Sequence, residues 1–207
     1  MLQNQDHLYL CLLYTSALGL SLASAAALAQ GAFIGIEGDY SFNSKLTAKS
    51  DNGKSKVKKA QPGIGLKAGY DFDSFRVYGA YIYDFQAKKS LGDEDGTVIK
   101  WSTHKFIVGA DYTPELTKDI KLVLGGYTGY SKLKMDVFDT HDGSEKANTN
   151  GWILGARIGA EYSINENNAV EFGLKADRTK YSSIAKYDNA KIKETNVGLY
   201  MGYTYKF

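Results

Sequence analysis

General acid–base chemistry needs a positioned imidazole or carboxylate, and this sequence is poor in imidazoles. Of its three histidines, His141 lies in Asp139-Thr140-His141-Asp142-Gly143, a polar stretch with nothing to build a protected pocket. His104 follows Ser102 at a spacing of two. On a strand that spacing puts hydroxyl and imidazole on one face, together with Phe106. A hydroxyl nucleophile also needs a third group to orient its base, and no acidic residue shares that face. No catalytic residue is therefore assigned, and no enzyme is expected. The acidic runs Asp93-Glu94-Asp95 and Asp136, Asp139, Asp142 and Glu145 lack the spacing and glycine of a calcium loop. The single cysteine, Cys11, lies near the N-terminus. Beyond it there is no thiolate metal site, thiol nucleophile or disulfide. Neither metal nor cofactor is expected.

Two sets of charges remain. Lys45, Lys49, Lys54, Lys56, Lys58 and Lys59 face only Asp51, which gives one segment about five net positive charges. Such a segment suits the phosphates of lipopolysaccharide or a sulfated host polysaccharide; the plainer alternative is a solvated loop resting on an anionic membrane surface. The other set, Glu37, Lys67, Arg76, Arg157, Glu161, Glu171, Lys175 and Asp177, is scattered among glycines and small residues. Over the whole chain the formal charge is only +2, so nucleic acid is not an expected partner and any anion site must be local.

The elements that must hold these residues show as a period of two. Sixteen Tyr, nine Phe and twenty-two Gly stand against two Pro and three Met, a balance that favours strands and tight turns. Eight stretches alternate as only strands do. Phe33 to Phe42 sets Ile34, Ile36, Gly38, Tyr40 and Phe42 against Gly35, Glu37, Asp39 and Ser41. Gly63 to Phe72 sets Ile64, Leu66, Ala68 and Tyr70 against Gly65, Lys67, Gly69 and Asp71. Phe75 to about Phe85 opposes Val77, Gly79, Tyr81 and Tyr83 to Arg76, Tyr78, Ala80, Ile82 and Asp84. In about Val98 to Tyr112, Phe106, Val108, Ala110 and Tyr112 oppose Lys105, Ile107, Gly109 and Asp111. The fifth stretch, about Ile120 to Lys134, does not declare its facing, because Val123 and Tyr127 rival Leu122 and Leu124. Gly151 to Tyr162, Val170 to about Lys180 and Asn196 to Phe207 complete the set.

The connections alternate too. Those after the second, fourth and sixth stretches are short, and the others are longer and polar. That rhythm predicts an up-and-down array with tight turns at one end and loops at the other. At 207 residues the chain suits one domain. An eight-stranded antiparallel barrel can hide its apolar face inside, as a soluble ligand carrier does, or turn it toward lipid. The polar face here is mostly glycine with charges of both signs, which suits a narrow lumen better than a wet surface. The apolar face carries aromatics near strand ends, as at a membrane interface. Eight strands leave little bore, so the charge set is expected to be a salt-bridged plug; a narrow solute pore is the alternative.

This pattern resembles the small OmpA/OmpX-type outer-membrane β-barrel family of Gram-negative bacteria. The resemblance covers essentially Gly31 to Phe207, including the last strand ending Tyr203-Thr204-Tyr205-Lys206-Phe207. It implies an outer-membrane location, short periplasmic turns, longer extracellular loops, and contact with outer-membrane lipids and lipopolysaccharide. It also implies that Tyr203, Tyr205 and Phe207 form the signal read by periplasmic chaperones and the barrel-assembly machinery. Some related barrels deacylate lipid A with a membrane-facing His-x-Ser pair; here the order is Ser102-Thr103-His104.

Residues 1–29 read as a secretory signal. Leu8 to Ala29 is largely apolar and ends in Ala27-Leu28-Ala29, the small-x-small pattern of a cleavage site, leaving 30–207 as the barrel. Met1 to His7 lacks the usual basic residues and carries Asp6. Cys11 to Ser16 back-translates as TGT CTC TTA TAC ACA TCT, a sequence that resembles a transposon end used in preparing sequencing libraries. Roughly the first sixteen residues are accordingly expected to be an artefact joined to a truncated signal.

Overall fold

The computed structural model describes residues 31–50, 53–91, 97–139, 143–182 and 191–207. The expected signal segment, 1–29, lies outside them, as do His141 and Asp93 to Asp95. The strands are β1 (Ala32–Ser50), β2 (Gly53–Asp71), β3 (Phe75–Leu91), β4 (Thr97–Tyr112), β5 (Ile120–Asp139), β6 (Gly143–Ser163), β7 (Asn168–Tyr181) and β8 (Lys191–Lys206). Each pairs antiparallel with its neighbour in sequence, and β8 returns to β1 to close the barrel. Closure leaves no edge, so every strand finds a backbone partner on both sides.

At one end the chain turns tightly. Asp73 adopts φ 66° between Phe72 and Ser74, a left-handed conformation that aspartate tolerates better than most residues. Phe72 N–H donates to Phe75 O at 2.8 Å across this turn. Both ends of the barrel chain meet here too, where Phe207 N–H donates to Ala32 O at 3.0 Å.

The alternation sets the facing. Trp152, Leu154, Met201 and Leu66 are all more than 60% exposed on the outer wall, whereas Glu161, Glu171 and Arg76 are 1% exposed inside. A soluble carrier would show the reverse. The facing of the fifth strand is plain in three dimensions. Val123, Tyr127 and Leu133 are buried inside, and Leu124 and Tyr130 face out.

The strands run 14 to 21 residues, past the ~9 to 11 that cross an apolar layer. Their continuation is hidden in the sequence by two bulges, between Ser41 and Ser44 in β1 and between Asp84 and Ala87 in β3. Phe42 and Asn43 are both exposed, then Ser44 is fully buried; Phe85 and Gln86 repeat this before Ala87. An extra residue inverts the alternation, so the distal part of each strand falls out of phase with the proximal part. The basic segment expected to be a loop is therefore a hairpin: Lys45 and Lys49 stand on β1, and Lys54, Lys56, Lys58 and Lys59 on β2.

Inside, apolar side chains form two groups. Phe33, Tyr78, Ile82, Ile107, Tyr127 and Ile153 pack on the turn side of the bulges, and Leu46, Ala87, Trp101, Leu133, Tyr181 and Ile192 pack beyond the bulges. Inward glycines make room for rings. A Cβ on Gly155 would sit 2.3 Å from the Tyr127 ring, and one on Gly109 would sit 2.4 Å from that of Tyr78. Gly155→Val should lower unfolding stability in detergent by about 1–3 kcal/mol, because the added side chain would overlap the Tyr127 ring. Urea titration followed by tryptophan fluorescence would measure the loss; an unchanged midpoint would contradict the tight ring-on-glycine fit.

Candidate functional site

The lumen is built around Asp111 on β4. It accepts from Arg76 Nε of β3 at 2.6 Å and from Arg157 Nε of β6 at 2.8 Å, with a further bond from Arg157 Nη2. Arg76 continues to Glu161 at 2.5 Å and to Glu171. Arg157 reaches Glu37 at 3.3 Å and lies 4.5 Å over the Tyr78 ring. Lys67 bonds Glu171 at 3.1 Å, while Lys175 joins Glu37 at 3.2 Å to Asp39 at 2.9 Å. Alternate inward positions on neighbouring strands stack these groups in layers, so each charge meets an opposite one across the bore.

All eight of Glu37, Lys67, Arg76, Arg157, Glu161, Glu171, Lys175 and Asp177 are brought together inside the barrel. Sequence reading left out four partners that share their facing: Asp39, Asp84, Lys105 and Asp111. Lys105 bonds Asp84 at 2.7 Å and lies 3.9 Å from Asp177. Lys206 closes the turn end against Asp71 and Glu161, both at 2.9 Å. Their parity was the available signal. Glu194 was missed for another reason, since it lies on the part of β8 before the recognised stretch. It accepts from Tyr181 Oη at 2.5 Å and from Ser44 Oγ at 3.3 Å.

A cavity of ≈ 10 Å³ lies among these groups, beside Glu37, Lys67, Tyr78, Arg157 and Lys175, about enough for one water. Trp101 and Leu133, 1% and 0% exposed, lie in the apolar group further along the bore. Among the described residues the interior is thus filled at both levels.

On the outer wall, His104 Nδ1 and Tyr81 Oη are 2.7 Å apart, and the imidazole also packs against Tyr83 with ring centroids at 4.9 Å. Its cross-strand neighbour is Lys132, and that of Ser102 is Lys134. The imidazole is thus held by a phenol and flanked by cations, an environment unlike that of a base oriented by a carboxylate. Tyr203, Tyr205 and Phe207 face outward at the turn end, with the Tyr205 and Phe207 rings edge-to-face at 5.2 Å.

The basic hairpin has an unusual register. Lys45 lies opposite Lys58, and Lys49 opposite both Lys54 of β2 and Lys191 of β8. Like charges placed directly across a ladder repel unless an anion sits between them.

The model of the outer membrane protein beta-barrel domain family matches residues 15–207; the chain belongs to this family, and its outward apolar face meets outer-membrane lipid. Neisserial surface protein A superposes with a TM-score of 0.51 and 18% identity, covering 86% of this chain and 99% of that one. A major outer membrane protein of Thermus thermophilus gives 0.51 and 11%, over 84% and 99% of the two chains. The outer membrane protease OmpT of Escherichia coli gives 0.50 and 10%, over 84% and 97%. At such identity the likeness carries the fold alone. No protein of curated function matches the sequence.

Removing Asp111 tests the centre of the lumen. Asp111→Ala leaves two buried guanidinium groups short of their shared acceptor and should cost about 3–5 kcal/mol. Glu115→Ala, which breaks a 3.8 Å pair with Lys121 at the exposed rim, should cost under about 1 kcal/mol. Unfolding in lipid vesicles compares them, and equal losses would mean that Asp111 does not hold the network together.

Proposed function

We propose that this outer-membrane barrel serves as a structural surface protein whose basic β1–β2 hairpin engages an anionic polymer or glycolipid, namely lipopolysaccharide or a sulfated host polysaccharide. The observation that carries this reading is the pairing of Lys45 with Lys58 and of Lys49 with Lys54 across one ladder. Opposed lysines weaken a hairpin in isolation, whereas a bound phosphate or sulfate turns their repulsion into attraction for a shared anion. The position supports it further. The hairpin lies at the end of the barrel away from the tight turns, which in this family faces outside the cell.

Transport and catalysis have less support. The filled bore does not favour a solute pore, and the Ser102–His104 pair has its imidazole bonded to Tyr81. Lipid A from cells making this chain and from cells making His104→Ala should show identical mass spectra. A mass difference equal to one acyl chain would replace the structural reading with an enzymatic one.

The hairpin reading is tested by binding to heparin and to purified lipopolysaccharide as salt is raised. Exposed charges weaken with screening over about 8–10 Å at physiological ionic strength, so binding should fall steeply between low and high salt. Replacing Lys45, Lys49, Lys54, Lys56, Lys58 and Lys59 together by Gln should abolish the salt-sensitive part. Binding that survives both changes would sink the proposal.

A further inference from the structure

Cross-strand pairing brings basic positions of four strands side by side. Among them Arg178, Lys180 and Lys45 alternate with buried neighbours and so face outward, and Lys58, opposite Lys45, is exposed. Register aligns Arg178 of β7, Thr195 of β8, Lys45 of β1 and Lys58 of β2 in one row. The next row outward is Lys180, Lys193, Thr47 and Lys56, and the one after it holds Lys191, Lys49 and Lys54. Nine of these eleven positions are Lys or Arg, and none is acidic. The residues of opposite charge nearby, Asp177 and Glu194, point into the barrel and are 5% and 0% exposed. Among the described residues, no carboxylate pairs with Arg178, Lys180, Lys193, Lys45 or Lys58.

The height of this wall is set by the strands that carry it. On β7, Phe172, Leu174, Ala176, Arg178 and Lys180 face outward in turn; on β8, Met201, Leu199 and Val197 give way to Thr195 and Lys193. The basic rows begin one outward position beyond the last apolar ones, a step of about 7 Å along a strand. They also lie on the side of the barrel wall, not over its mouth.

From these placements we infer that the β7–β8–β1–β2 face is a lateral binding site for phosphorylated glycolipid of the surrounding outer leaflet, of the lipid A type. This rests on the anion reading above and chooses between its two ligands. A wall that starts where the apolar belt stops meets the phosphate layer of neighbouring lipid, with the acyl chains against Phe172, Leu174 and Leu199 below. A soluble polysaccharide arriving from outside would instead be met first by the hairpin tip. Arg178 and Lys180 are the informative residues, because they add to the wall without belonging to the hairpin.

The experiment places the refolded full chain in phosphatidylcholine vesicles doped with fluorescent lipid A, either bisphosphorylated or enzymatically dephosphorylated, and reads energy transfer from tryptophan. The native chain should enrich the bisphosphorylated lipid at its boundary over the dephosphorylated one. Arg178→Gln with Lys180→Gln and Lys193→Gln should lower that enrichment by about fivefold for each charge removed. Heparin binding through the hairpin should change less, and an unboiled band of normal gel mobility checks that the variant is folded. Undiminished enrichment in this variant, with loss in the hairpin variant, would overturn the lateral wall but leave the hairpin reading. No enrichment by the native chain would overturn the lateral site, and absence of heparin binding as well would remove both.

Discussion

In hydrocarbon a backbone amide has no water to fall back on, and each unpaired N–H or C=O costs several kcal/mol. The closed ladder from β1 around to β8 and back is the response to that constraint, and the rest of the molecule depends on it. Closure with eight strands fixes a narrow bore. The bore must then be filled by whatever the inward positions carry. Lipid takes up the apolar side chains outside, which leaves the glycines, rings and charges to pack within.

The lumen is consequently a core in which apolar groups and ion pairs share the work. Burying a charge is expensive unless its partners are close and numerous. The two arginines meet this condition by sharing Asp111 and by fanning out to Glu161, Glu171 and Glu37. Tyr78 and Tyr200 add ring faces to Arg157 at 4.5 and 5.5 Å, a contact strengthened where water is excluded. Such a network selects one arrangement of side chains, because shifting any strand by one residue would turn its charges toward lipid.

Outside the apolar belt the same register organises surface charge. Strands β7 and β8 are far from the lysine-rich hairpin in sequence, yet Lys180, Lys193, Thr47 and Lys56 stand side by side. The strands continue beyond the width of the bilayer, and the bulges in β1 and β3 adjust their facing as they leave it. That continuation is the sheet on which these basic positions stand.

The sequence alone determined the strand count, the antiparallel order and the lipid-facing parity of seven strands, because one side of each strand meets a uniform solvent and period two records it directly. It also picked out eight of the charges on the polar face, since charges spaced at two among glycines have few other places to go, but passed over Asp39, Asp84, Lys105, Asp111 and Glu194, which are buried with them. It left β5 undecided: Val123 and Tyr127 are as apolar as the residues facing lipid, and only the folded barrel places them inside, Tyr127 with its ring against Gly155. It read the β1–β2 lysines as a loop because a bulge inverts alternation without leaving a compositional mark. Tertiary structure alone decided which charges touch, how Asp111 serves two arginines, and that Arg178 and Lys180 belong with Lys45. Asp111 lies 35 and 46 positions from the two arginines it serves, and Lys45 aligns with Arg178 only through Thr195 of β8; cross-strand register, which closure fixes, is what brings them together.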